Sequence, residues 1–191
     1  MFQFPANGGG DLGRAKAVLA QRLIAHAWEL SLQSGEAVRP WPWADTYPVA
    51  RLRVPRLRQD LYVLAGASGH ALAFGPGYEP ASAALGTPGI SVIGGHRDTH
   101  FGFLQQLRPN TLISVQLPDG RNHSYRVTGS RVVDSQVEPV PTGQGSAELL
   151  LVTCYPFDAI DSGGPLRFVV RASKLPSLPR VIASQSFQTM L

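Results

Sequence analysis

The chain has 191 residues, 43% of them hydrophobic, and a net charge of +4 carried almost wholly by arginine, since Lys16 and Lys174 are its only lysines. That length fits one domain with a short appendage and is enough to bury a core. Its single cysteine excludes an intrachain disulfide and any zinc site built from several thiolates. The arginines are scattered, apart from Arg51, Arg53, Arg56 and Arg58, and do not form the concentrated basic face of a nucleic-acid binder.

Residues 1–10, Met-Phe-Gln-Phe-Pro-Ala-Asn-Gly-Gly-Gly, read as a flexible leader or an expression remnant. From Asp11 to Ser34, Ala17, Ala20, Leu23, Ile24, Ala27 and Trp28 recur at helical spacing, and Gly35 suits the stop, so residues 11–35 are expected to form one amphipathic helix. The prolines of Arg39–Pro48 forbid a helix and favour an extended strap. Val49–Leu57 then alternates as a strand, Leu61–Leu64 is short and apolar, Ser68–Tyr78 reads as a turn or short helix, and Ile90–Ile93 leads into Gly94-Gly95.

Further on, Thr111–Leu117 and His123–Val133 flank the turn Pro118-Asp119-Gly120. Glu148–Thr153 and Leu166–Ala172 complete seven or eight short strands. With 20 Gly and 16 Pro punctuating them, a mainly β fold is expected, a sandwich or a closed barrel, occupying residues 36–191. The longest irregular stretches, Asp134–Ser146 and Tyr155–Pro165, are of the kind that carries function.

Three segments bear chemistry: Gly94-Gly95-His96-Arg97-Asp98, Leu150-Leu151-Val152-Thr153-Cys154 and Gly163-Gly164-Pro165-Leu166-Arg167. A thiol is only a few per cent ionised at neutral pH unless a cation or imidazole stabilises the thiolate. Histidine supplies that stabilisation and can later protonate a leaving amine. Arginine keeps its proton and offers a fixed fork to a developing oxyanion. Singly, each residue is ordinary: a turn histidine, a core cysteine, a surface arginine. Together they suffice for acyl transfer through a thioester. His96 and His100 have the spacing of a zinc-protease helix, but Arg97 stands where that motif has its Glu, and the flanking glycines oppose a helix.

Leu151-Val152-Thr153-Cys154 resembles the T-L-x-T-C motif of sortases, with Leu150 where the motif has its first Thr. His96 lies 58 residues before the cysteine, and Arg167 opens Leu166–Arg171, similar to the arginine strand of the family. Trp41-Pro-Trp-Ala-Asp-Thr and Thr153-Cys-Tyr-Pro-Phe157 resemble the branch found in Gram-negative, often marine, bacteria. The resemblance covers roughly Trp41 to Leu175. It implies an eight-stranded sortase β-barrel with an N-terminal helix and short helical turns.

It also implies a transpeptidase in which Cys154 attacks a protein sorting signal of the L-P-x-T-G type, with an amine accepting the acyl group. His96 would be the acid/base, Arg167 the electrostatic stabiliser and Thr153 a substrate contact, and no cofactor is required. Arg171 would be structural, and Val137, Val140 and Phe157 would receive the leading Leu of the signal or merely pack the loops. A cysteine hydrolase with water as acceptor and a non-catalytic barrel that binds a partner stay open. The sequence has neither a signal peptide nor an apolar run of the roughly 20 residues that span a bilayer. The resemblance therefore carries the expectation of a missing N-terminal anchor, with attachment to the inner membrane and the catalytic domain outside the cytoplasm.

Overall fold

The computed structural model describes residues 9–67, 69–138, 145–159 and 164–176. Helix α1 spans Gly9–Ser34 and enters two residues before the apolar periodicity suggests. It stops at Gly35, whose φ of 74° suits glycine and whose N–H donates to the Ser31 carbonyl at 2.9 Å. Ile24 packs with Leu64, Ala71, Trp41, Tyr62 and Phe74, and the fully buried Trp28 meets the Tyr62 ring at 6.2 Å. Tertiary burial thus holds the helix, since each such side chain contributes about 1.5–3 kcal/mol when removed from water.

Eight strands follow: β1 (Pro48–Val54), β2 (Gln59–Ala65), β3 (Gly77–Tyr78), β4 (Ile90–Gly94), β5 (Leu112–Gln116), β6 (Asn122–Asp134), β7 (Glu148–Cys154) and β8 (Leu166–Lys174). The first ends where Pro55 can no longer donate to the ladder, and Pro55–Leu57 turn as a short 3₁₀ segment. Helix α2 (Gly69–Phe74) fills the stretch before β3. The strands close into a barrel in the order β1-β2-β3-β4-β7-β8-β6-β5, so the barrel expected from the family resemblance is the one that forms. Only β2–β3 and β4–β7 are parallel pairs.

Period-two alternation sorts the side chains. Ala50, Leu52, Val63, Ile93, Ile113, Val115, Tyr125, Leu149, Leu151 and Val170 fill the interior with Phe101 and Leu104. On the outer face of β4, β6, β7 and β8 a second apolar cluster forms from Val92, Val133, Leu150 and Val169, bordered by Ile90 and Val152. Cys154 and Arg167 belong by parity to this outer face.

Candidate active site

The parallel pairing of β4 with β7 sets the site. Ile90 lies opposite Glu148, and each step keeps the register as far as Gly94 and Val152. Beyond the strand, Gly95 N–H donates to the Val152 carbonyl at 3.1 Å, and the Thr153 hydroxyl donates to the Gly95 carbonyl at 2.7 Å across 58 residues. One more step at this offset brings His96 level with Cys154. On the other side, β7 pairs with β8 so that Cys154 faces Arg167, and β8 pairs with β6 so that Arg167 faces Val133. Cys154, Arg167 and Val133 therefore lie side by side on β7, β8 and β6, at the ordinary spacing of about 4.8 Å per strand, and His96 follows just beyond the end of β4.

His96 is exposed, whereas Cys154, a free thiol, and Arg167 are half-buried. The His96 carbonyl accepts the Phe101 N–H at 2.9 Å, closing a tight loop over the fully buried Phe101. A Cβ on Gly95 would lie 2.8 Å from the Phe101 ring, so the loop packs closely only because residue 95 is glycine. His100 sits on this turn, not on a helix. Burial, and then the charge of His96, hold its imidazole below the ordinary histidine value.

Arg167 directs Nη1 to the Gly164 carbonyl at 2.5 Å and to the Leu166 carbonyl at 2.9 Å. This anchors one arm of the fork to the loop entering β8, and Nε and Nη2 have no partner among the described residues. Arg171 faces Leu150, a full turn of the pleat from the cysteine, and its Nε and Nη2 donate to Glu148 Oε2 at 2.9 and 2.5 Å. The two arginines thus differ in their partners.

Thr153 is 3% exposed, on the interior side of β7, and its hydroxyl is committed to Gly95. This bond ties the cysteine strand to the histidine loop. Phe157 packs on Phe168 at 5.1 Å between ring centroids, against the barrel core, with Tyr155 stacked 6.3 Å from the same ring. It therefore braces its loop against the barrel. Val137 is exposed, and Val140 lies outside the described residues.

In the sequence Arg97 stands out only as the residue in place of a zinc-protease Glu. It is only 6% exposed; Nε donates to Asp98 Oδ1 at 3.0 Å, Nη1 to the Pro156 carbonyl at 2.5 Å, and Nη2 to the Ala159 carbonyl. An arginine beside a histidine in a Gly-rich loop reads as solvated charge, and only the folded chain brings the acceptors to it.

The strands close into an eight-stranded barrel, with Cys154 at the end of β7 opposite Arg167 on β8 and His96 just beyond β4. The sortase-domain profile matches residues 52–175, and the chain belongs to the sortase family, whose members are in general cysteine transpeptidases of the cell envelope. Sortase D of Bacillus subtilis is 27% identical over 125 residues, which cover 65% of this chain and 62% of that protein. Among solved structures, Sortase A from Corynebacterium diphtheriae shares the fold with a TM-score of 0.60 at 18% identity, covering 91% of this chain and 98% of that one. The Clostridium perfringens Sortase D5 transpeptidase superposes with a TM-score of 0.62 at 16% identity, covering 83% and 99%.

Proposed function

We propose that the protein is a transpeptidase that cleaves a C-terminal sorting signal similar to L-P-x-T-G and passes the acyl group to an amine. The observation that supports this reading is the pairing of Cys154 with Arg167 across β7 and β8, with the Thr153–Gly95 bond holding the loop of His96 against the cysteine strand. In the cycle, the Cys154 thiolate adds to the scissile carbonyl and Arg167 steadies the oxyanion through the arm left without a partner. His96 then protonates the departing amine. The incoming amine gives up a proton to His96 as it attacks the thioester and restores the thiol. Thr153 acts through the Gly95 carbonyl as a positioning residue. The outer-face cluster of Ile90, Val92, Leu150, Val152 and Val169 lies in line with Cys154 and would support an extended peptide with apolar side chains.

Envelope location follows the habit of the family. Attachment to the inner membrane by an N-terminal segment, and membership of the Gram-negative branch suggested by Trp41-Pro-Trp and Tyr155-Pro-Phe157, belong to the same proposal. Among the described residues no helix is long and apolar enough to cross a membrane. Fractionation of cells carrying the whole gene tests the location: recovery with inner membranes supports it, and recovery with cytosol opposes it.

The test of the chemistry is product analysis on a peptide library varied around L-P-x-T-G, with and without an added amine. Amide products that require the amine support transpeptidation. Release of free acid at the same rate in both reactions would make the enzyme a hydrolase. No turnover of any peptide would favour a binding barrel.

A further inference from the structure

The Arg97 side chain is buried, yet Asp98, a carboxylate it pairs with, is largely exposed, and two of its bonds go to backbone carbonyls 59 and 62 residues away. Burying a guanidinium is costly unless its donors are satisfied. Here they are satisfied by two segments that must stay together for Cys154 and His96 to meet. Pro156 and Ala159 lie in the loop that leaves β7 just after Cys154, and Arg97 directly follows His96. Nearer the barrel, the β4–β7 backbone bonds, the Gly95 N–H to the Val152 carbonyl and the Thr153 hydroxyl join the same two segments. The loop of Arg97 is itself tight: a Cβ on Gly102 would come within 2.9 Å of the Arg97 carbonyl oxygen.

We infer that Arg97 is a positioning residue for the acyl-transfer centre, a buried fork that clamps the loop after Cys154 to the loop carrying His96 and so fixes the imidazole against the thiol. The inference rests on the transpeptidase reading of this site. The fork is what suits the task. Nε, Nη1 and Nη2 diverge in one plane to reach three acceptors, and a lysine ammonium cannot span them with the same rigidity. A misplacement of about 1 Å at a reacting pair can cost about 10²-fold in rate, so a clamp need not touch substrate to matter.

The test needs no knowledge of the natural substrate. The rate of Cys154 alkylation by iodoacetamide is measured at pH 6 and pH 10 in the wild type, Arg97→Met, Arg97→Lys and His96→Ala, with thermal midpoints recorded alongside. The expected result is a fall at pH 6 of about tenfold in folded Arg97→Met. Arg97→Lys should recover part of it, and the difference should vanish at pH 10, where a thiol ionises without help. A residue that only held the loop shut would, on removal, expose the thiol and raise the rate, which would overturn the inference. So would an unchanged rate at pH 6, or loss of the fold in both Arg97 variants, which would assign Arg97 to the stability of the whole barrel. If His96→Ala alone leaves the rate unchanged, the activation reading of the site fails and takes this inference with it. If His96→Ala slows alkylation and Arg97→Met does not, the clamp alone is refuted.

Discussion

Arg167 and Arg171 stand four residues apart on one strand and face the same side of the barrel, yet their surroundings separate them. Arg171 is bound to Glu148 across the β7–β8 ladder, whereas Arg167 lies opposite Cys154 with one arm tied to Gly164 and Leu166. Arg167→Ala should therefore lower peptide turnover by about 10²–10³-fold, the usual effect of removing one preorganised oxyanion donor. Arg171→Ala should leave turnover near that of the wild type and cost about 1–2 kcal/mol of stability, since Arg171 is exposed but leaves the mostly buried Glu148 without this partner. Steady-state rates on a cleavable peptide check both, and greater sensitivity at Arg171 would reverse the assignment. Thr153→Val makes the complementary case. It keeps the shape of the side chain but strands the Gly95 carbonyl, so the thermal midpoint should fall by the equivalent of about 1–3 kcal/mol.

At the level of elements, the strands that announce themselves in the sequence are those with one face in the core. In β1, Ala50, Leu52 and Val54 are buried while Arg51 and Arg53 alternate outward, and Arg51 is held by Asp60, whose carboxyl it keeps below the ordinary carboxylate range. Strand β3 was not legible, because two residues carry no period and Gly77 fits it only through close approach. A Cβ on Gly77 would lie 2.1 Å from the Gly66 carbonyl oxygen and 2.9 Å from the Ala67 Cα. Backbone cannot yield as a flexible side chain does, so Gly77→Ala should destabilise the barrel by about 3 kcal/mol. Denaturant unfolding measures it, and a loss under about 0.5 kcal/mol would show that β2 and β3 can separate freely.

The candidate site was legible for a different reason. The chemistry of Cys, His and Arg is specific in combination, and the 58 residues between His96 and Cys154 equal the offset at which β4 and β7 pair. The bonds of Arg97 and Thr153 and the ring contacts of Phe157 were not legible, because their partners are backbone carbonyls or rings that only the fold brings near.

Across the whole molecule, charge and burial meet at the end of the barrel remote from Cys154. His123 is nine-tenths buried, with neither ring nitrogen bonded among the described residues, and it stacks against Gly86, whose φ is 81°. Gly86 is gripped by the Tyr125 hydroxyl at its N–H and by Lys174 Nζ at its carbonyl. Burial, then Lys174 and Arg121, hold the imidazole below its ordinary value, with Asp119 opposing weakly. The unfolded chain therefore binds the proton first, and stability present above about pH 6.5 is lost as pH falls below it. His100 contributes in the same direction. His123→Phe should flatten the fall in thermal midpoint between pH 6.5 and pH 5, and an unchanged slope would place the acid sensitivity elsewhere.

All of this serves one claim, that Cys154 carries the acyl group. Intact-mass spectrometry after brief incubation with an L-P-x-T-G peptide, in the absence of amine, tests it most directly. The account predicts a mass gain equal to the acyl portion before the cleaved bond, located on the peptide containing Cys154 and absent from Cys154→Ala. Cleavage of the same peptide by Cys154→Ala at the wild-type rate, with no adduct on either chain, would contradict it.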